Sequence, residues 1–399
     1  MRDLIFLSHR IPFPPDKGEK IRAWHIFRHL ARTHRMHLGC FIDDAADWAH
    51  LPELRGRCAD VACFGLRRGR QTLRALARLR PGRPLTLGYF QDARLRRWTD
   101  GKRAAGIDRA FVYCSAMAPY LSDAPGMCRV LDMVDMDSAK WGDYAAQARW
   151  PASAVWRREA RTLLAVERRA ALDYERTLFV SQAEAAAFSR AAPESAGRIG
   201  WLDNGVDLDG FAPGVFERPF AAGPTVVFTG TMDYWPNVDA MIWFADAVLP
   251  ALRAARPGLR LCIVGANPSS AVRRLARDPA ITVTGRVADV RPYLAHADLA
   301  VAPLRIARGI QNKVLEAMAM ACPVVATPEA FAGLRAVAGR DLLVGSGADG
   351  FAACVGAVLD GRHAGLGAAG RRVVAAGYAW DATLSGLDAL YHDRPDRAA

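Results

Sequence analysis

GIQNKVLEAMAMACPVVAT, Gly309 to Thr327, decides the fold. The stretch reads as a loop, a helix and a buried strand. The loop ends at Gly309-Ile310; Val314, Leu315 and Met318 recur at core spacing, and the helix stops near Ala321-Cys322. Pro323 then opens the β-branched run Val324-Val325, which suits a central parallel strand. Lys313 and Glu316 lie three apart and share one face of the first helical turns. The loop and first turn, Gly309, Ile310, Gln311 and Asn312, offer main-chain N–H groups at the positive end of the helix dipole, where a diphosphate binds. Lys313 adds a point charge there, and Glu316 is able to accept two hydrogen bonds from a ribose diol. The plain alternative is an amphipathic helix with an exposed Lys–Glu pair.

Working outward, short β-branched runs alternate with helical stretches along the chain. The first half has Leu4–Leu7, Met36–Ile42, Val61–Phe64, Ala110–Tyr113, Arg129–Met133 and Thr177–Val180. The second half restarts with Thr225–Phe228, Leu259–Val264, Ile281–Val283, Leu299–Ala302, Val324–Ala326 and Asp341–Val344. Such alternation predicts parallel sheets with helices on both faces. The break is a turn signal at Asp203-Asn204-Gly205-Val206-Asp207, followed by Gly210, Pro213, Gly214, Pro219, Gly223 and Pro224. A long helical pattern spans about Ser138 to Ala171, and Trp380 to Tyr391 reads as a final helix.

The 399 residues are 51% hydrophobic and 24% charged, a globular composition with length for about two domains. No run of about 18 apolar residues appears, so a transmembrane helix is not expected. The opening MRDLIFLSHR is too short and polar for a signal peptide. The eight cysteines lack metal-ligand spacing and read as buried thiols of a reducing cytoplasm. The net charge is +12, and much of the excess lies in Arg67, Arg68, Arg70, Arg74, Arg78, Arg80 and Arg83. Leu73, Leu76, Ala77 and Leu79 interleave with them, which suggests a basic amphipathic helix. A solvated arginine-rich face and peripheral binding to anionic lipid both stand as readings. Nucleic acid ranks last, because no nucleic-acid motif accompanies the charge.

The Gly309–Thr327 stretch resembles the donor-binding motif of retaining glycosyltransferases of the GT-B fold, the group containing glycogen synthases and bacterial mannosyltransferases. Glu316 matches the second of that family's two glutamates; Ala317, Ala319 and Pro323 to Ala326 match the A-x-A-x-G-x-P-V-V-A tail. The place of the first glutamate is taken by Arg308. NGVD followed by F-x-P is similar to the family's interdomain linker. TMDYWPN, the Lys313 helix and the PPDKG loop together resemble the narrower group of exopolysaccharide sugar transferases found with PEP-CTERM/exosortase systems.

The resemblance implies two Rossmann-like domains facing a deep cleft, with the C-terminal helix crossing back to the N-terminal domain. Its boundaries would be 1–203 for the acceptor domain, 204–224 for the linker, 225–376 for the donor domain and 377–399 for the last helix. The loop SHRIPFPPDKGEKIRAWH, Ser8 to His25, follows the first strand, where open α/β sheets bind ligands. Gly18 lets a ligand approach the backbone, and Lys17, Lys20 and Arg22 are placed to neutralise phosphate. The resemblance puts this loop opposite the donor diphosphate. Where the family has G-R and then a lysine, this chain has Gly230-Thr231 and no lysine in that loop. Lys313, Arg308 and Arg305 would then meet the phosphate charge, with Gly230 and Asn237 as further donors. Gly285-Arg286-Val287 would lie against the base, with Gly265 nearby.

VLDMVDMDSAKW, Val130 to Trp141, sets Asp132, Asp135 and Asp137 at a strand end. Asp135 would orient the acceptor or assist proton removal. A DxD-like Mg²⁺ site and simple helix caps are the alternatives. The family's use of cations and helix dipoles favours no metal. The expected function is therefore retaining, metal-independent transfer of a sugar from a UDP- or GDP-type donor substrate, with no separate cofactor. Catalysis would rest on Lys313, Arg308 and Asp135. The acceptor would be a glycan or a lipid-linked molecule in exopolysaccharide or cell-envelope synthesis, in the cytoplasm or peripheral on the inner membrane. A GT-B nucleotide-sugar epimerase and a non-enzymatic basic membrane-surface protein are the competing classes.

Overall fold

The computed structural model describes residues 1–16, 18–66, 69, 82–307 and 309–391. Lys17, Arg308 and all of the arginine-rich run except Arg83 lie outside the described residues. The chain divides into two compact units, one of Met1–Asp203 with Leu384–Ala399, the other of Asn204–Thr383.

The first unit holds a seven-stranded sheet: β1 Arg2–Ser8, β2 His34–Ile42, β3 Asp60–Gly65, β4 Arg109–Tyr113, β5 Cys128–Val134, β6 Arg176–Phe179 and β7 Ile199–Trp201. Its order is β3-β2-β1-β4-β5-β6-β7, and its strand pairs are parallel. Helices cover both faces, so the central strands are near-continuous apolar runs. Leu4 to Leu7 and Phe111-Val112 have no exposed surface. The chain moves outward from β1 to β3 and returns beside β1 as β4. That reversal opens a crevice at the carboxyl ends of β1 and β4.

The second unit repeats the scheme with β8 Thr225–Thr229, β9 Arg260–Val264, β10 Ile281–Gly285, β11 Leu299–Ala302, β12 Val324–Ala326 and β13 Leu343–Val344. The order is β10-β9-β8-β11-β12-β13, again parallel, with the reversal between β8 and β11. The helix Asn312–Ala319 follows β11 and buries Val314, Leu315 and Met318.

Three local readings of the sequence need correction. β7 was not expected; it is a three-residue edge strand with a glycine at its centre and a half-exposed Trp201. The long helical pattern is two helices, Asp137–Gln147 and Ala152–Asp173. Pro151 separates them, because proline disfavours helical backbone at the residue before it and lacks a donor of its own. The final helix is a short turn of helix, Trp380–Leu384, then a 3₁₀ turn, Asp388–Tyr391. That last turn packs in the first unit: Tyr391 Oη donates to the Ala110 carbonyl at 3.2 Å, and His29 Nε2 meets Asp388 Oδ2 at 3.0 Å. Among the described residues no helix is long and apolar enough to cross a membrane.

Candidate functional site

Two glycines shape the crevice of the second sheet. Thr229 and Val264 are register partners at the ends of β8 and β9, and Gly230 and Gly265 follow them. Their φ values are +155° and +156°, a region side chains avoid. A Cβ on Gly265 would sit 1.7 Å from the Gly230 carbonyl oxygen. A Cβ on Gly230 would sit 2.8 Å from Asn237 Nδ2 and 3.2 Å from Lys313 Nζ. The backbone is therefore bare where the two strands end, and Lys313 stands over it.

Lys313 Nζ donates to Asn237 Oδ1 at 2.5 Å and lies 4.4 Å from the centre of the Phe228 ring. Asn237 Nδ2 donates in turn to the Thr231 carbonyl at 2.9 Å. The ammonium is thus aimed by an amide from the helix Trp235–Trp243 and by the π face of a β8 residue. Burial pushes the Lys313 ammonium down to about 7, with Glu316 pulling it back up. Burial likewise raises the Glu316 carboxyl to about 7, with Lys313 pulling it down. An arriving anion would hold Lys313 in its charged form.

The other donor-side residues sort by place. Gly309 turns with φ +62° and is buried with Ile310. Gln311 caps the helix through its carbonyl, which accepts from Val314 N at 2.9 Å. Asn312 opens the helix and accepts at Oδ1 from Asn204 Nδ2 at 2.8 Å. Exposed Arg286 and half-buried Val287 follow β10, next to β9; Gly265 N donates to the Gly285 carbonyl at 3.2 Å. Arg305 is not a free cation: it pairs with Asp239, Nε to Oδ2 at 3.0 Å, on the surface. Asn237 was expected as a ligand donor, but its polar atoms serve Lys313 and Thr231. The sequence carried no signal for that role, because the two partners lie 76 residues apart.

In the first unit, Lys20 and Arg22, two of the cations expected to meet phosphate, are paired internally, while Lys17 lies outside the described residues. Gly18 opens the helix Gly18–Leu30, on which Lys20 and Arg22 are buried. Lys20 Nζ is held by Asp47 at 2.8 and 2.9 Å and by Asp16 at 3.3 Å. Arg22 forks onto Asp132 at 2.8 and 3.2 Å and donates to the Leu202 carbonyl at 2.7 Å. The assignment of Arg22 to phosphate is therefore corrected: a fully buried guanidinium must be paired where it lies. Asp132 is consumed by the same pair and by Val134 N at 3.0 Å. Asp137 accepts from Ser115 Oγ at 3.1 Å. Asp135 differs. Its Oδ1 is buried and lacks a hydrogen-bond partner among the described residues. Burial, then Glu184 and Asp137, raise its carboxyl to about 7. Among the described residues no group of three or more His, Cys, Asp or Glu side chains is placed to hold a metal ion.

Residues 223–361 match the family described as Glycosyl transferases group 1. The chain is similar to a GDP-mannose-dependent monoacylated alpha-(1-6)-phosphatidylinositol monomannoside mannosyltransferase of Corynebacterium glutamicum, 30% identical over 217 residues. That match covers 49% of this chain and 56% of the relative, so it spans little more than half the relative's length. Among solved structures, sucrose-phosphate synthase from Thermosynechococcus elongatus superposes with a TM-score of 0.71 at 19% identity, covering 98% of both chains. Anabaena HepE in complex with UDP-glucose superposes at 0.69 and 16% identity, covering 99% of this chain and 100% of the other. The fold is that of the GT-B glycosyltransferases, two Rossmann-like units with parallel sheets.

Proposed function

We propose that this chain is a retaining, metal-independent glycosyltransferase that moves a sugar from a nucleotide-diphosphate sugar to a glycan or lipid-linked acceptor. The observation that carries the reading is Lys313 Nζ, aimed by Asn237 over the bare backbone of Gly230. It lies within the stretch that matches group 1 glycosyltransferases. A diphosphate there would meet a lysine, a helix N-terminus and main-chain N–H groups together. Lys313 would neutralise the charge that builds on the leaving diphosphate, aided by Arg308. Glu316, three residues further along the helix, would accept from the ribose diol. Gly265, Arg286 and Val287 would line the nucleotide. Asp135, on the first unit, would orient the acceptor hydroxyl or take its proton.

Two similar proteins bracket the choice: the corynebacterial relative is GDP-mannose-dependent, and HepE is seen in complex with UDP-glucose. We place the work in exopolysaccharide or cell-envelope synthesis, on the cytoplasmic side. The arginine-rich run after Leu66 would draw the protein to an anionic membrane surface.

A thermal-shift titration with UDP, GDP, ADP and NAD tests the reading, because a ligand stabilises by RT ln(1 + [L]/Kd). One nucleoside diphosphate should raise the melting temperature and so choose the donor class. The matching nucleotide sugars should then lose their sugar only when an acceptor is supplied. Absence of a shift with any diphosphate, or epimer formation without acceptor, would overturn it.

A further inference from the structure

Cys40 on β2 and Cys63 on β3 are register partners, so their side chains leave the same face of the sheet. Their sulfurs lie 3.2 Å apart, with one thiol donating to the other. Neighbouring strands run about 4.8 Å apart, inside the ~4.4–6.8 Å Cα separation that a disulfide spans. Closing the two sulfurs to a bond of about 2.0 Å asks for little more than side-chain rotation. We propose that Cys40 and Cys63 form a reversible dithiol–disulfide pair, oxidised by hydrogen peroxide, that staples the edge strand β3 to the sheet. Lys313 belongs to the other unit, so the pair and the donor site stand or fall separately.

The two sulfurs differ in access. Cys40 has no exposed surface, whereas Cys63 is half-buried on β3, the outermost strand, which has a neighbour on one side only. An oxidant arriving from solvent therefore meets Cys63 first. Burial, then the hydrogen bond to Cys63, raises the Cys40 thiol, so it keeps its proton until the second step. In the first step the Cys63 sulfur attacks one peroxide oxygen. A sulfur–oxygen bond forms, the oxygen–oxygen bond breaks, and water leaves with the thiol proton, giving a sulfenic acid. In the second step the Cys40 sulfur attacks the sulfenic sulfur. The disulfide forms, the sulfur–oxygen bond breaks, and a second water leaves with the Cys40 proton. The two thiols lose two electrons in all, and the peroxide gains them. An external dithiol reverses the change by exchange, keeping the disulfide and returning both protons.

Other cysteines are placed differently. Cys128, Cys322 and Cys354 turn their sulfurs to the carbonyls of Leu390, Pro323 and Val344, at 3.6, 3.7 and 3.7 Å. Cys58 is the competitor for Cys63, at the end of the helix Leu51–Arg57. It precedes the paired residues of β3, which begin at Asp60, so the sheet does not set it against Cys40. Burial, then Cys63 and Asp60, pushes the Cys58 thiol up to about 12, which leaves almost none of it as the reactive thiolate.

The test treats the folded full chain with hydrogen peroxide, blocks the remaining thiols and maps disulfides by mass spectrometry. A Cys40–Cys63 bond should form, lower the eight free thiols by two, and vanish with dithiothreitol. Cys40→Ala should stop Cys63 at the sulfenic acid, which dimedone then labels, while the wild type labels far less. Cys63→Ser should leave Cys40 unmodified by the same dose. Should Cys40→Ala fail to fold, as its melting curve would show, Cys63→Ser and the wild-type map decide alone. A Cys58–Cys63 bond, oxidation of Cys63 to the sulfinic acid without a disulfide, or eight thiols still free would each overturn the pair.

Discussion

Lys313 Nζ and Asn237 Oδ1 lie 2.5 Å apart, yet they come from helices that follow two different strands, β11 and β8. Those strands are neighbours at the reversal of the second sheet. The contact therefore reports the geometry of the whole crevice, and it keeps the ammonium over Gly230 before any ligand arrives. Lys313→Ala should cut transfer by about 100-fold or more, as losing an oxyanion-type donor does. The variant should also lose most of the nucleoside-diphosphate thermal shift and keep its own melting temperature nearly unchanged. Steady-state transfer assays and melting curves check both. Wild-type turnover in Lys313→Ala would remove the central assignment. Asn237→Ala should weaken binding less, since it removes only the aim.

A pH dependence follows from the same lysine. Burial holds the Lys313 ammonium near 7, well below its ordinary 10.5. Above that point the free protein's Lys313 is neutral, and a diphosphate must recruit a proton on binding. Affinity for UDP or GDP should therefore fall as pH rises from about 6 to 8.5, with proton uptake detectable by calorimetry in buffers of different ionisation enthalpy. Lys313→Met should flatten the profile. A flat wild-type profile would mean that Lys313 carries its charge without the ligand.

Gly265 tests the backbone half of the site. A methyl group there would collide with the Gly230 carbonyl at 1.7 Å, and φ is +156°. Gly265→Ala should cost about 3 kcal/mol, combining backbone strain with a clash that has no flexible side chain to yield. Chemical denaturation reads the loss. Because the loop ends of β8 and β9 must part, nucleotide binding should fail even under conditions where the variant stays folded. Gly285→Ala is the contrast: its φ is +72°, but no heavy atom lies within 4 Å of the added Cβ.

Much of this was legible in the sequence, and the rest was hidden for identifiable reasons. The runs Val226–Phe228 and Leu261–Val264 announced themselves because strands buried on both faces need unbroken apolar residues. The place of Lys313 in the first turn of a helix was legible because Val314, Leu315 and Met318 recur at core spacing after a glycine loop. β7 was hidden because Ile199-Gly200-Trp201 sits at an edge and shows no alternation. The break at Pro151 was visible as a proline but was outweighed by the Ala/Arg/Glu richness around it. Arg22 misled for a deeper reason. Sequence position put it beside a glycine loop, but the direction of its side chain was set by Asp132, 110 residues away.

That pairing gives a stability prediction. Arg22 and Asp132 are both essentially without solvent exposure. Arg22→Ala strands a buried carboxylate and the Leu202 carbonyl, and should destabilise the first unit by about 3–5 kcal/mol. Arg22→Met with Asp132→Leu should recover part of that, since it removes both buried charges while leaving the Val134 N–H and the Leu202 carbonyl without those partners. Denaturant titration measures the difference. The thermal shift added by a nucleoside diphosphate should survive in the double variant; its loss at wild-type stability would return Arg22 to the phosphate.

Asp135 combines stability and catalysis in one side chain. Its carboxyl titrates near 7 in the folded protein, against an ordinary 3.8. Between those values the folded state holds a proton that the unfolded state has released. The contribution is thus fully present below about 3.8 and is lost as pH rises through 7. Asparagine copies the protonated acid without being able to ionise. Asp135→Asn should therefore be close to neutral in stability near pH 5 and stabilising near pH 8, because it removes a buried charge pressed by Glu184 and Asp137. If Asp135 takes a proton from the acceptor, the same change should lower the transfer rate by about 10²–10⁴-fold and abolish the limb of the pH–rate profile near 7. Melting curves at the two pH values and a kcat profile decide between roles. A stabilised, fully active variant would leave Asp135 as a strained structural acid, while a slower enzyme with the stabilised fold would place it at the acceptor.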